Sequence, residues 1–194
     1  IMPSLVGSEM CIRDRAYPDL QPRFVEEQTQ HLITRLRNGN LDLAIMALPS
    51  EATGMVDSPL YTEKFSIVCP PDHPIAGRED VELAELKDLD LLLLDDGHCL
   101  RDQVVDLCRH ANINPAEATN SVTRASSLTT IMQLVMGGLG CTLVPESALA
   151  TECHGKDVAV AHFAPDVTAE REVGLVFRSS AARAEEFREF GTLI

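Results

Sequence analysis

Two of the six cysteines in this 194-residue chain stand where a thiol could react. Cys99 comes just before an amphipathic run that predicts a helix over residues 100–111, so it should lie at a helix N-terminus, where unpaired N–H groups and the helix dipole favour an anion. Arg101 and His98 add positive charge. Three acidic side chains oppose this effect, namely Asp95, Asp96 and Asp102. The positions of these opposing charges in space decide the balance. Taken together, the surroundings predict a reactive thiolate at Cys99.

Cys108 follows nine positions later, on the apolar face of the same predicted helix. Nine helical residues rise about 13.5 Å and rotate by about two and a half turns, so the two thiols should face opposite ways. A disulfide needs Cα atoms within about 7 Å of each other. A bond between these cysteines would therefore require the helix to unwind, which would make the segment a two-state element.

Strand-like and helix-like patterns alternate along the chain, with glycine or proline between them. The predicted strands are 21–26, 41–48, 60–69, 90–94, 121–124, 141–144, 158–163 and 172–177. The predicted helices are 28–38, 100–111, 127–136 and 181–191, with a helical turn at 83–86. This alternation predicts an α/β fold with a parallel sheet.

Composition narrows the classes of function. The hydrophobic content of 45% is enough for a buried core, although Trp is absent. A net charge of −14 argues against nucleic-acid binding by this chain alone and against binding to an anionic membrane. Since no apolar run could span a bilayer and no signal peptide is visible, we expect a cytoplasmic location. We expect no cofactor and no metal site, and we expect Cys69, Cys141 and Cys153 to be structural.

Three segments resemble the effector-binding domain of LysR-type transcription regulators. They are N-G-N-L-D-L-A-I at 38–45, P-P-D-H-P at 70–74 and V-M-G-G-L-G-C-T-L-V-P at 135–145. The resemblance covers residues 16–194 and implies a two-lobed α/β regulatory domain of the periplasmic-binding-protein type (type II). Lobe I would comprise 16–62 and 173–194, and lobe II would comprise 63–172 with the redox cysteines.

The segment G-H-C-L-R-D-Q at 97–103, with a second cysteine nine positions after the first, is similar to the redox segment of OxyR-type, peroxide-sensing members of that family. This resemblance implies that hydrogen peroxide oxidises Cys99 and that Cys108 resolves the product into a reversible disulfide. It also implies a set of residues that bind peroxide or support the site, namely Thr29, His98, Arg101, Asp102 and Arg171. The parent would be a homo-oligomer, would bind DNA through a helix-turn-helix absent from this chain, and would be reset by a thiol reductant.

Other interpretations stay open at this point. A LysR-type domain could instead bind a small organic ligand in the cleft between lobes, with Ser126 or Ser127 contacting a carboxylate. A thiol peroxidase or a periplasmic binding protein is a further alternative. Thr29 could be an ordinary helix N-cap, and Arg171 an ordinary surface arginine.

The first residues form a separate case. The segment Glu-Met-Cys-Ile-Arg-Asp-Arg at 9–15 equals the translation of a transposon end used in sequencing libraries. We therefore expect residues 1–15 to be non-native and adapter-derived, so that Cys11 has no function. The family's first strand would then be missing, and the fold would be incomplete at the N-terminus.

Overall fold

The computed structural model describes residues 21, 23–114 and 119–193, with the backbone alone for 119–124. By its internal contacts the chain divides into two compact units. Unit 1 contains the residues up to Glu63 and those from Arg171 onwards, and unit 2 is Lys64–Glu170. Residues 1–15, which we expect to be adapter-derived, lie outside the described residues. The expectation that the family's first strand is missing concerns the same part of the chain.

The described helices and strands alternate along the chain, as the sequence predicts. In chain order they are α1 (Thr29–Arg37), β1 (Leu43–Leu48), β2 (Met55–Cys69), a 3-10 helix (Leu83–Asp88), β3 (Leu91–Leu94), α2 (Cys99–His110), β4 (Thr119–Ala125), α3 (Leu128–Met136), β5 (Thr142–Pro145), α4 (Glu146–Glu152), β6 (Ala159–His162), β7 (Glu170–Arg178) and α5 (Ala184–Gly191).

In unit 1, helices cover the two faces of strand β7. Strand β1 pairs antiparallel with β7 along its whole length. Because successive strand side chains point to opposite faces, Val176 packs against Ile33 and Leu36 of α1, whereas Leu175 and Phe177 pack with α5. Both faces of β7 are therefore buried, which explains its run of apolar residues.

In unit 2, strand β3 is sandwiched between two helices. Leu91 and Leu93 pack into the cluster that contains the apolar face of α2, and Leu92 and Leu94 pack into the cluster that contains α3. Strand β3 pairs in parallel with β4, and the second part of β2 pairs antiparallel with β5 and β6. Strand β3 thus provides a closely packed apolar surface for α2, and it directly precedes the redox segment in the chain.

Three sequence expectations are corrected. In the larger sheet β1 pairs antiparallel with β7, and β2 pairs antiparallel with β5 and β6, whereas β3 pairs in parallel with β4 and bridges in parallel to Cys141. The parallel prediction therefore fails for the larger sheet, because alternation of elements fixes their order but not the direction in which distant strands meet. The described part of 21–26 forms no strand, and Phe24 within it is 62% exposed. Strand β2 begins at Met55, five residues before the predicted start, and α4 was not predicted.

Candidate redox site

The loop between β3 and α2 sets where the helix begins. The backbone N–H of Asp95 donates a 2.9 Å hydrogen bond to the carbonyl oxygen of Ala125, which ties the loop to the end of β4. Gly97 then adopts φ = 94°, a left-handed conformation that favours glycine. His98 is the N-cap and Cys99 is the first helical residue. The G-H-C motif therefore turns the chain so that the helix starts at the cysteine.

Cys99 lies half-buried as a free thiol at the N-terminus of α2. The His98 side chain makes no capping hydrogen bond, and its carbonyl oxygen accepts the N–H groups of Arg101 and Asp102 at 3.0 and 3.4 Å. The first-turn N–H groups and the helix dipole place positive potential beside the thiol. The predicted placement of Cys99 at a helix start agrees with the structure.

Arg101 is held by two carboxylates. Its Nη2 lies 2.9 Å from Oδ1 of Asp96, and its Nη1 lies 3.4 Å from Oδ1 of Asp102. The arginine side chain is 22% exposed, whereas the two aspartates are 69% and 65% exposed. Its buried Nε has no hydrogen-bond partner among the described residues. Arg101 also lines a cavity of about 10 Å³ together with residues of β3, α2, α3 and β5. The positive charge expected beside Cys99 is therefore partly balanced by Asp96 and Asp102.

Cys108 occupies the opposite kind of environment. It is 0% exposed and packs in the apolar cluster with Val104, Val105 and Leu107 of the same helix. Burial raises the pKa of the Cys108 thiol, because the apolar surroundings disfavour a thiolate. In this conformation Cys108 cannot act as a nucleophile, since attack requires a thiolate that can reach its target.

The two thiols are kept apart by α2 itself. Both cysteines are free and both lie on the one continuous helix Cys99–His110. Nine helical residues separate Cα atoms by about 13.5 Å, roughly twice the limit of about 7 Å for a disulfide. The structure is therefore that of a dithiol state, and joining the two cysteines requires α2 to unwind.

The other described cysteines are less available than Cys99. Cys69 and Cys141 are both 0% exposed. Burial raises the pKa of Cys69 and raises that of Cys141 to about 12. Cys153 is half-buried, and burial raises its pKa although Lys156 acts in the other direction.

Thr29 and Arg171 belong to unit 1, whereas the cysteines belong to unit 2. Thr29 is the first residue of α1, whose N-cap is Gln28, so the interpretation of Thr29 as an N-cap is wrong. The Arg171 side chain is 10% exposed and its Nη2 and Nε lie 2.7 and 2.8 Å from Oε1 of Glu63. The interpretation of Arg171 as a surface arginine is therefore also wrong. The sequence pattern did not single out its partner Glu63, which lies where the alternating exposure along β2 gives way to mostly buried residues.

Ser127 has a structural role in the described part of the chain. It is the N-cap of α3, and its hydroxyl accepts a 3.2 Å hydrogen bond from the N–H of Thr130. The same hydroxyl lies 2.9 Å from Oγ1 of Thr130. These contacts account for a serine at this position without an effector.

None of the described helices combines the length and apolarity needed to cross a membrane. Within the same part of the chain, no three His, Cys, Asp or Glu side chains are grouped so that they could hold a metal ion.

Comparisons with known proteins agree on one family. Residues 14–194 match the family described as LysR substrate binding domain. A probable hydrogen peroxide-inducible genes activator of Mycobacterium avium is 48% identical over 177 residues, which is 91% of this chain and 56% of that protein. This chain thus spans little more than half the length of that curated relative.

Solved structures give the same result for the fold. A cysteine-to-serine mutant of Corynebacterium glutamicum OxyR in an H2O2-bound form is 59% identical with a TM-score of 0.95, over 98% of this chain and 59% of that one. The reduced OxyR regulatory domain from Pseudomonas aeruginosa is 31% identical with a TM-score of 0.80, over 100% of this chain and 89% of that one.

Proposed function

Because the chain belongs to the LysR substrate-binding domain family, and within it to the OxyR regulatory domains, we propose that it senses hydrogen peroxide through a reversible disulfide between Cys99 and Cys108. One observation carries the proposal. A half-buried thiol at a helix start and a fully buried thiol share one helix that keeps them apart. Oxidation at the first thiol can therefore be converted into a change of fold.

The first step oxidises Cys99. Its thiolate attacks one oxygen of hydrogen peroxide, so that an S–O bond forms and the O–O bond breaks. Two electrons pass from sulfur to oxygen, and the second oxygen leaves as hydroxide, which is protonated to water. The product is a sulfenic acid. The N-terminus of α2 favours this step because its dipole stabilises the thiolate before attack.

The second step refolds the helix. When α2 unwinds, Cys108 leaves its apolar cluster and becomes able to ionise. Its thiolate attacks the sulfur of Cys99, the S–S bond forms, the S–O bond breaks and a second water results. A dithiol reductant returns two electrons and two protons to reset the domain. The reduced packing of Cys108 and the disulfide exclude each other, which gives the domain two states.

The surrounding residues and units take their proposed roles from the family. His98, Arg101 and Asp102 would support the peroxide reaction around Cys99, and the resemblance alone assigns a supporting role to Thr29 and Arg171. Unit 1 would correspond to lobe I and unit 2 to lobe II. The parent protein would be a homo-oligomer that binds DNA through a separate domain. We propose a sensor that reacts once per reduction rather than a peroxidase that turns over.

The experiment uses this chain and one equivalent of peroxide. After alkylation and digestion, mass spectrometry should detect a disulfide peptide that joins Cys99 to Cys108. Cys99→Ser should form no disulfide and no sulfenic acid, because the attacking thiolate is gone. Cys108→Ser should retain a sulfenic acid at Cys99 that a dimedone probe labels, because nothing resolves it.

Cys153→Ser is the matched control, since Cys153 is also a half-buried free thiol. It should form the disulfide at the wild-type rate. Oxidation of Cys153 in preference to Cys99, or equal dimedone labelling of the Cys99→Ser and Cys108→Ser proteins, would refute the assignment. Sustained consumption of peroxide with a thioredoxin-type reductant would indicate a peroxidase instead.

A further inference from the structure

The contact between Asp96 and Arg101 bridges the loop before α2 and the first turn of that helix. The Oδ1 atom of Asp96 lies 2.9 Å from Nη2 of Arg101, five residues further along the chain. The pair therefore joins the two ends of a short segment, residues 97–100, that contains Cys99.

Arg101 connects this contact to the core of unit 2. Its side chain is only 22% exposed and it lines a small cavity with Leu94, Leu100 and Val104. The aliphatic part of an arginine can pack on apolar surface while its head group binds a carboxylate nearer the solvent. Here the buried Nε has no hydrogen-bond partner among the described residues, so the guanidinium depends on its outer nitrogens for polar contacts.

We propose that Asp96 is a positioning residue for the redox reaction, which holds Arg101 in place and so fastens the first turn of α2 in the dithiol state. This inference rests on the proposed function, because it concerns the equilibrium between the dithiol and the Cys99–Cys108 disulfide. An interaction shifts an equilibrium only if it differs between the two states. Unwinding the first turn separates loop and helix, so the pair stabilises the dithiol state alone.

The direction of the effect follows from that asymmetry. Asp96→Asn removes the charge and weakens the hold on Arg101, so the disulfide should become easier to form and harder to reduce. Asp96 is 69% exposed, and exposed ion pairs contribute little. We expect a shift of about threefold in the equilibrium constant, which is about 14 mV towards a more negative midpoint potential for a two-electron couple.

The test is a redox titration of the reduced chain against a dithiothreitol buffer, with the fraction of Cys99–Cys108 disulfide read by alkylation and mass spectrometry. Asp95→Asn is the matched control, because Asp95 has the same charge and makes no ion pair with any described side chain. Because it reports the effect of removing a nearby charge alone, Asp95→Asn should shift the potential less than Asp96→Asn does. Asp96→Glu should restore most of the wild-type value. Added salt should move the wild type towards Asp96→Asn and should change that variant less, since only its weaker Arg101–Asp102 pair remains.

A double-mutant cycle tests whether Asp96 acts through Arg101. In an Arg101→Gln background, Asp96→Asn should produce no further shift. An equal shift in both backgrounds, or equal potentials for Asp96→Asn and Asp95→Asn, would overturn the inference. If Arg101→Gln does not fold, a wild-type potential that is independent of salt would overturn it. A wild-type chain that forms no Cys99–Cys108 disulfide would instead overturn the proposed function, so the two failures are distinguishable.

Discussion

The described cysteines differ in how deeply their thiols are buried, and burial limits their reactivity. Cys99 is half-buried at a helix N-terminus, whereas Cys108 and Cys141 are fully buried and have raised pKa values. A thiol that stays protonated at neutral pH is a weak nucleophile. Under the proposed function, the same residue type serves as sensor at one position and as apolar packing at another, and a change of fold is needed to make the buried thiol reactive.

A buried ion pair gives a prediction at the residue scale. The side chains of Glu63 and Arg171 are 7% and 10% exposed, and Oε1 of Glu63 lies 2.7 Å from Nη2 of Arg171. Glu63→Ala should lower the free energy of unfolding by about 3–5 kcal/mol, because it leaves a buried guanidinium without this counter-charge. Urea unfolding measures the effect. The exposed neighbour Glu170 supplies the control, and its replacement by alanine should change stability little; equal losses for both variants would contradict the prediction.

At the scale of elements, the proposed function makes α2 both the barrier to the disulfide and the segment that changes fold. Its apolar face packs on Leu91 and Leu93 of β3 and carries Cys108, while its N-terminus carries Cys99. Packing therefore stabilises a helix in which the two sulfurs cannot meet. The free energy by which this packing stabilises the helix must be offset by formation of the S–S bond. The redox state is therefore coupled to the fold.

Hydrogen exchange should report this coupling directly. After oxidation, backbone amides within Cys99–His110 should lose protection, because the disulfide cannot form on an intact helix. Helix α3 (Leu128–Met136) is the internal control and should retain its protection. The Cys108→Ser protein should keep α2 protected after peroxide treatment. Unchanged exchange across α2 in a chain shown to contain the disulfide would contradict the two-state description.

At the scale of the whole molecule, charge is the dominant property. The chain has 16 basic and 30 acidic side chains, which gives a net charge of −14. Protein affinity for duplex DNA depends largely on basic groups that neutralise phosphates and release counterions. The acidic balance therefore argues against a phosphate-binding surface on this chain.

We expect this chain alone not to bind duplex DNA at physiological salt. A gel-shift or fluorescence-anisotropy titration at about 150 mM salt, repeated at lower salt, would measure it. The absence of a shift in both dithiol and disulfide forms is the expected result. Binding that weakens steeply with added salt would show that this chain has a phosphate-binding surface after all.

The sequence by itself determined the redox segment and the helix that carries it. The G-H-C-L-R-D-Q motif and the nine-residue spacing are local features, and the rise and turn of an α-helix convert them into a separation without further information. The apolar run at β3 likewise predicts a buried strand before the helix. Local periodicity is enough here because each element's own hydrogen bonds and amphipathic face define it.

Tertiary structure decided which charges meet and which strands pair. No local pattern indicates that Glu63 binds Arg171, that Asp96 rather than Asp95 binds Arg101, or that β1 runs antiparallel to β7. These contacts join residues distant in the chain or depend on the path of one turn. Their geometry is fixed by packing of the whole unit, where burial decides whether a charge is paired and a thiol protonated.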